Sequence, residues 1–195
     1  MTVAPTHQPT RRRGDALLGA IHTAVLEELA CSGFAGLSIE RVAERARTGK
    51  ASIYRRWPSR LELVLDALDH TMPQLDALPD TGVTREDLLI VLRRIARAMS
   101  SRAGDAARAC FGPGVDDELS AAIRERLLPP RKAALLSILE RGAERGEVRP
   151  DAVTQRVAEI GPMLLQGEIM QRGRITDAAV LEILDDVLMP LLTAP

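Results

Sequence analysis

Aromatic residues are almost missing from this chain of 195: Phe34, Tyr54, Trp57 and Phe111 are the whole set, 2% of the residues. Recognition of a partner by broad aromatic stacking is therefore disfavoured. Cysteine is as scarce. Cys31 and Cys110 lie far apart without CxxC spacing, which excludes a disulfide framework and a zinc pattern. No apolar run approaches the length of a membrane span, and residues 1–13 lack a signal-peptide core, so the chain reads as cytoplasmic. His7, His22 and His70 have no carboxylate or cysteine at ligand spacing, so no metal is expected. No Ser/His/Asp spacing, Gly-rich phosphate loop or paired carboxylates stand out, so neither an enzyme nor a cofactor is expected. Alternating β-branched runs are lacking too, and the fold class that remains is all-α.

Charge of one sign is also missing overall, at net −1, but its distribution is uneven. Residues 1–60 sum to +5 and the remainder to −6. A basic front joined to an acidic back is expected when only one part meets phosphates. Residues 1–13, Pro/Thr/Arg-rich and aperiodic, read as a disordered basic arm. Leu18, Ile21, Val25 and Leu29 then keep a helical period up to Gly33, placed to end the helix. Ser38 caps a run with Ile39, Val42, Ala43 and Ala46. Ile53 and Trp57 recur after a break, Pro58 stops that helix, and Ser59 opens a capping box with Glu62. Thr84 caps a helix over 85–102, and a shorter one lies near Ala106, before Gly112-Pro113-Gly114. Asp116 opens a helix that Pro129-Pro130 interrupts before another over 131–145. Asp151 and Thr176 cap the last two long helices, giving about nine or ten in all. The first carries Gly161-Pro162, a bend shaping a pocket or seam on one reading and an ordinary helix start on the other.

The informative stretch is 37–63. Two short helices are separated by three or four residues, with Ala43 and Ala46 small where the helices must approach. That is the layout of a helix-turn-helix, whose second helix enters the major groove. The second helix, 49–56, has little apolar content beyond Ile53, while Lys50, Ser52, Tyr54 and Arg55 all offer hydrogen-bond donors. So narrow an apolar stripe makes poor scaffolding and a good reading head.

This pattern resembles the DNA-binding segment of the tetracycline-repressor (TetR) family. The likeness rests on Ile39, Val42, Ala43, Ala46, Lys50, Ile53, Tyr54, Trp57, Pro58, Ser59, Arg60, Glu62 and Leu63. The family usually has phenylalanine at Trp57, lysine at Arg60, and Gly-Val-Ser where this chain has Arg47-Thr48-Gly49. A further stretch, 139–151, resembles one seen in many members; elsewhere the likeness is architectural.

The resemblance implies a homodimeric, ligand-responsive regulator, most simply a repressor released from a palindromic double-stranded operator by a small-molecule effector. Its domains would be the arm (1–13), a three-helix DNA-binding domain (14–58), a connecting helix (59–72) and a sensing and dimerisation domain (73–195). Thr48, Gly49, Lys50, Ser52, Tyr54 and Arg55 would face the operator, and Ser38 and Arg60 would sit at phosphate-binding helix starts. Arg11, Arg12 and Arg13 would reach the backbone or minor groove. The dimer would form through 151–172 and 177–192. Candidate effector-pocket residues are Ile95, Met99, Phe111, Leu135, Leu139, Met163 and Met170, a flexible aliphatic lining that also suits ordinary core. Trp57 and Cys31 read as core, and Cys110 as packing or an oxidant sensor. The rival reading is a helical ligand-binding or protein-interaction module with a vestigial helix-turn-helix.

Overall fold

A computed structural model describes residues 14–73, 77–108 and 116–193. The arm, Cys110 and Phe111 lie outside the described residues. The helices are α1 (Asp15–Gly36), α2 (Ile39–Arg45), α3 (Lys50–Tyr54), α4 (Arg60–Thr71), α5 (Thr84–Met99), α6 (Arg102–Arg108), α7 (Asp117–Ala122), α8 (Leu128–Glu144), α9 (Gln155–Arg172), α10 (Asp177–Glu182) and α11 (Met189–Thr193). π-turns at Ile123–Leu127 and Ile183–Leu188 fuse α7 to α8 and α10 to α11. Counted as continuous runs, the helices fall near the expected number, and no strand occurs among the described residues.

Ser38, Ser59, Asp116 and Thr176 cap as expected, each accepting from a backbone N–H two or three residues on. Thr84 does not. It is fully buried inside the first turn of α5, its N–H donates to Glu147 Oε2 at 2.7 Å, and Arg145 donates to its hydroxyl at 3.0 Å. A carboxylate from across the bundle thus does the capping. Asp151 is displaced as well: it belongs to a 3₁₀ turn (Pro150–Ala152), and Thr154 caps α9. Pro129-Pro130 does not break the chain into two helices. The prolines fall in the first turn of α8, directly after a π-turn that absorbs the lost N–H groups, and Arg131 donates to the Leu127 carbonyl at 2.8 Å.

Two hydrophobic cores result. The first gathers Ile21, Val25, Leu29, Val42, Ile53, Trp57, Leu63 and Leu68 from α1–α4, and Leu119 of α7 with Ile123 and Leu127 of the π-turn after it close it. By length and composition α1 could cross a membrane, which corrects the expectation that no apolar run approaches that length. Its buried stripe instead packs in this core. Cys31, two residues past Leu29 and so on the opposite side of the helix, is exposed rather than core. Gly33 does interrupt the helix, at φ 66°, and lets Phe34 turn inward.

The second core joins α5, α8, α9 and the 177–193 run through Leu92, Leu139, Leu165, Leu184 and Leu192. Gly161 permits this packing: a Cβ there would stand 2.7 Å from Leu92 Cδ2 and 3.1 Å from Leu188 Cδ1. Pro162 follows inside the same uninterrupted helix. Two bidentate pairs, Arg85–Asp185 and Arg93–Asp177 with all four contacts at 2.7 Å, set α5 against the last run. Being exposed, they register the helices more than they stabilise them.

Candidate nucleic-acid interface and effector cavity

The turn between α2 and α3 is built by hydrogen bonds rather than by glycine. Thr48 N–H donates to the Ala43 carbonyl at 2.9 Å and Arg47 N–H to that of Glu44 at 3.0 Å, the pair of bonds of a Schellman ending. Such an ending needs a left-handed residue, and Arg47 supplies it at φ 54°. Gly49 comes two residues later, at φ −88° with no cap hydrogen bond, so it is the N-cap of α3 and not the turning residue. Open space surrounds the position of its missing Cβ. The glycine of the turn and the hydroxyl of the cap are thus replaced by an arginine and a bare backbone.

Of α3, only Ile53 is buried. Gly49, Lys50, Tyr54 and Arg55 are exposed, Tyr54 by 52%, with Thr48 and Ser52 half-buried beside them. Six of the eight expected residues therefore lie exposed or half-buried along 48–55. Ser38 sits apart at the start of α2, where it donates to Glu40 Oε2 at 3.1 Å. Arg60 does not present a free guanidinium. It stacks on the Phe34 ring at 4.5 Å and donates to the Ala35 carbonyl at 3.0 Å, tying α4 to the end of α1.

Neighbours that local spacing could not reveal tune this face. Lys50 pairs with Glu40, and that ammonium, with hydrogen bonds from backbone and Ser38, pulls the Glu40 carboxyl down to about 2. Glu28, 1% exposed, receives Arg41, Arg45 and Ser32, and Arg41 in particular holds its pKa below the ordinary carboxylate value. This clamp locks α2 onto α1. Behind it Trp57, 5% exposed, donates to Asp66 Oδ2 of α4 at 2.9 Å, and His22 of α1 contacts the same oxygen at 2.9 Å. Burial lowers the pKa of His22, the Asp66 carboxylate opposing it; His70 is the next ring, 4.7 Å away. Trp57 thus seals the reading domain against α4, as its sequence position suggests.

Below α4 lies a cavity of about 350 Å³. Its walls come from Thr71 and Met72 at the end of α4, from Ile95 and Met99, from Ala107 and Arg108, from Arg131, Lys132 and Leu135, and from Glu159, Pro162, Met163 and Gln166. Of the expected pocket residues, Ile95, Met99, Leu135 and Met163 meet here. Leu139 is core beside a far smaller void of about 10 Å³. Met170, on the Met163 stripe of α9 but two turns on, is 75% exposed and outside the cavity. No local spacing marks the charged lining, because Arg108, the adjacent Arg131 and Lys132, and Glu159 sit on three separate helices and converge only in the packed bundle.

An exposed donor helix on a rigid turn, with a cavity touching the helix behind it, defines the class: a helix-turn-helix regulator of DNA. Residues 21–67 match the model of bacterial regulatory proteins of the tetR family, and 78–187 that of the tetracyclin repressor-like C-terminal domain. The chain is 33% identical to a DNA-binding transcriptional repressor TetR of Mycobacteroides abscessus, over 92% of this chain and 96% of that one. It is 30% identical to the HTH-type transcriptional regulator YdeS of Bacillus subtilis, over 83% and 78%. A crystal structure of a transcriptional regulator FadR from Bacillus subtilis in complex with stearoyl-CoA shares the fold, with TM-score 0.67 and 17% identity over 90% and 98%. The chain belongs to the TetR family of transcriptional regulators, ligand-responsive proteins that bind DNA.

Proposed function

We propose that this protein is a repressor that holds a palindromic operator as a homodimer and releases it when a small molecule fills the cavity. The observation that carries the reading is the dual contact of α4: Asp66 anchors Trp57 of the reading domain, while Thr71 and Met72 wall the cavity. Occupancy there bears directly on the helix that positions α3. Thr48, Gly49, Lys50, Ser52, Tyr54 and Arg55 face the operator. Ser38 and Arg60 act through the helix starts they occupy, and Arg11, Arg12 and Arg13 reach the backbone or an adjacent minor groove. In this division 14–58 reads, 59–72 transmits, and 73–195 senses and dimerises. The cytoplasm is its place of action, and no catalytic step is assigned to it.

The dimer seam is α9 with the 177–193 run. Leu164, Met170 and Val187 are exposed apolar side chains on those elements, 38%, 75% and 42% accessible in the single chain. Such side chains on two adjacent helices suit a second copy. A two-fold pairing sets the α3 helices one or more DNA turns apart, multiples of about 34–36 Å.

Selection of genomic fragments by the purified protein at physiological salt tests the reading. It should enrich a sequence with two-fold symmetry, and affinity should fall steeply with salt, by about 0.9 log units per log salt for each phosphate neutralised. Retention of no fragment would instead favour a helical interaction module with a vestigial motif.

A further inference from the structure

The effector cavity is apolar over most of its wall and charged at one side. Arg108, Arg131 and Lys132 against a single Glu159 leave that side net positive. All three cations have partners. Lys132 Nζ lies 2.8 Å from Glu159 Oε1, and Arg108 binds Asp105 and the Met99 carbonyl. Arg131 donates to Asp69 Oδ1 at 2.8 Å and to the Leu127 carbonyl at 2.8 Å.

Arg131 nevertheless stands apart. Its side chain is 17% exposed, the least of the three, and its Nε is buried with no acceptor among the described residues. A desolvated guanidinium with an unused donor is a strong receptor for an oxyanion, because an unmet buried donor is costly and a charge-assisted bond is strong. Its present acidic partner, moreover, is on α4. Among the described residues that helix is tied to the 117–144 run by Glu62 to Arg126 (2.9 Å, Nη2 to Oε2), within the π-turn, and by Asp69 to Arg131, just after Pro129-Pro130. Only the second tie reaches the cavity.

We propose that the effector is a small amphipathic monoanion. Its carboxylate takes Arg131, its apolar body lies among Ile95, Met99, Leu135 and Met163, and it frees the lower end of α4 by drawing Arg131 away from Asp69. The inference rests on the reading of the cavity as the effector site. At roughly 30 Å³ per water-sized atom, the cavity suits a body of about ten to twelve non-hydrogen atoms. No covalent step is involved. Binding and release of α4 are two sides of one competition for a guanidinium.

The test uses the full-length protein, with sodium n-octanoate as probe and 1-octanol as its neutral counterpart. Trp57, the only tryptophan, reports on α4 through its bond to Asp66. Octanoate should raise the melting temperature, change Trp57 emission saturably, and bind at least tenfold tighter than octanol. Arg131→Gln should abolish that preference. Asp69→Asn should act in the opposite sense on the ligand, binding octanoate several-fold tighter, and should raise quenching of Trp57 by acrylamide with no ligand present. Octanol binding as well as octanoate, no response to octanoate, or an Asp69→Asn variant with unchanged octanoate affinity would overturn the proposal. If Arg131→Gln fails to fold, the Asp69→Asn arm still decides. Operator binding measured without probe is a separate readout: its absence would remove the repressor reading and leave the octanoate result standing.

Discussion

Replacing Arg47 by glycine should make this protein more stable while weakening its hold on DNA. Arg47 occupies the left-handed residue of the Schellman ending of α2, at φ 54°. An L-residue there costs about 1–2 kcal/mol. Glycine removes that cost but returns about 0.5–1 kcal/mol through the greater freedom of its unfolded chain. The net gain is about 0–1.5 kcal/mol, which in a chain of this size is a rise in melting temperature of up to roughly 6 °C. Thermal and urea melts at one protein concentration measure it, with an unchanged urea slope showing that the surface exposed on unfolding is the same and stability alone has changed. Arg47→Asn should fall between the two, since asparagine tolerates the left-handed region. Removing an exposed cation beside the reading helix should also flatten the salt dependence of operator binding by about 0.9 if that cation meets a phosphate. A melting temperature that falls in Arg47→Gly would refute the assignment of strain to this turn, and would mean that the guanidinium supports it.

Lys50 must leave Glu40 to reach a phosphate, so Glu40→Gln should raise operator affinity at low salt, and Lys50→Ala should reduce the salt slope by about 0.9; gel-shift titrations across salt concentrations read both. Gly142→Ala should cost about 1–3 kcal/mol, because its Cβ would lie 2.4 Å from Thr84 Oγ1 and 2.7 Å from Val148 Cγ2 in a packed site; chemical denaturation checks the value. Leu164→Asp should convert the dimer to a monomer in light scattering and lower operator affinity with it, while far-UV circular dichroism stays helical. His22 favours its neutral form in the fold, because burial lowers its pKa, so the unfolded chain binds the extra proton first. Stability should therefore decline as pH drops below about 6.5, the unfolded value. His22→Gln should flatten that decline in melts taken from pH 7.5 to 5, and an unchanged profile would assign it elsewhere.

Much of the reading domain was legible because its information is local. A serine before an apolar repeat caps a helix in any fold, and Ser38 and Ser59 do so here. Small residues at Ala43 and Ala46, with donors around a lone Ile53, describe a short helix that can pack on one side only. Misreadings followed where the deciding partner was distant in the chain. Thr84 has the chemistry of a cap, but Glu147, 63 residues away, takes that role and lets Thr84 be buried. Two adjacent prolines read as a break until a π-turn absorbs the missing donors.

What the residues settled alone was the helical class and the helix-turn-helix, since period, caps and composition act within a few residues of one another. Tertiary packing decided the rest. It brought Arg131 to Asp69 and the cavity, turned Arg60 onto Phe34 instead of outward, and left Met170 outside the pocket. Those outcomes depend on how helices cross. Crossing is fixed by the fit of side chains such as Gly161 against Leu92 and Leu188, which no one-dimensional spacing records.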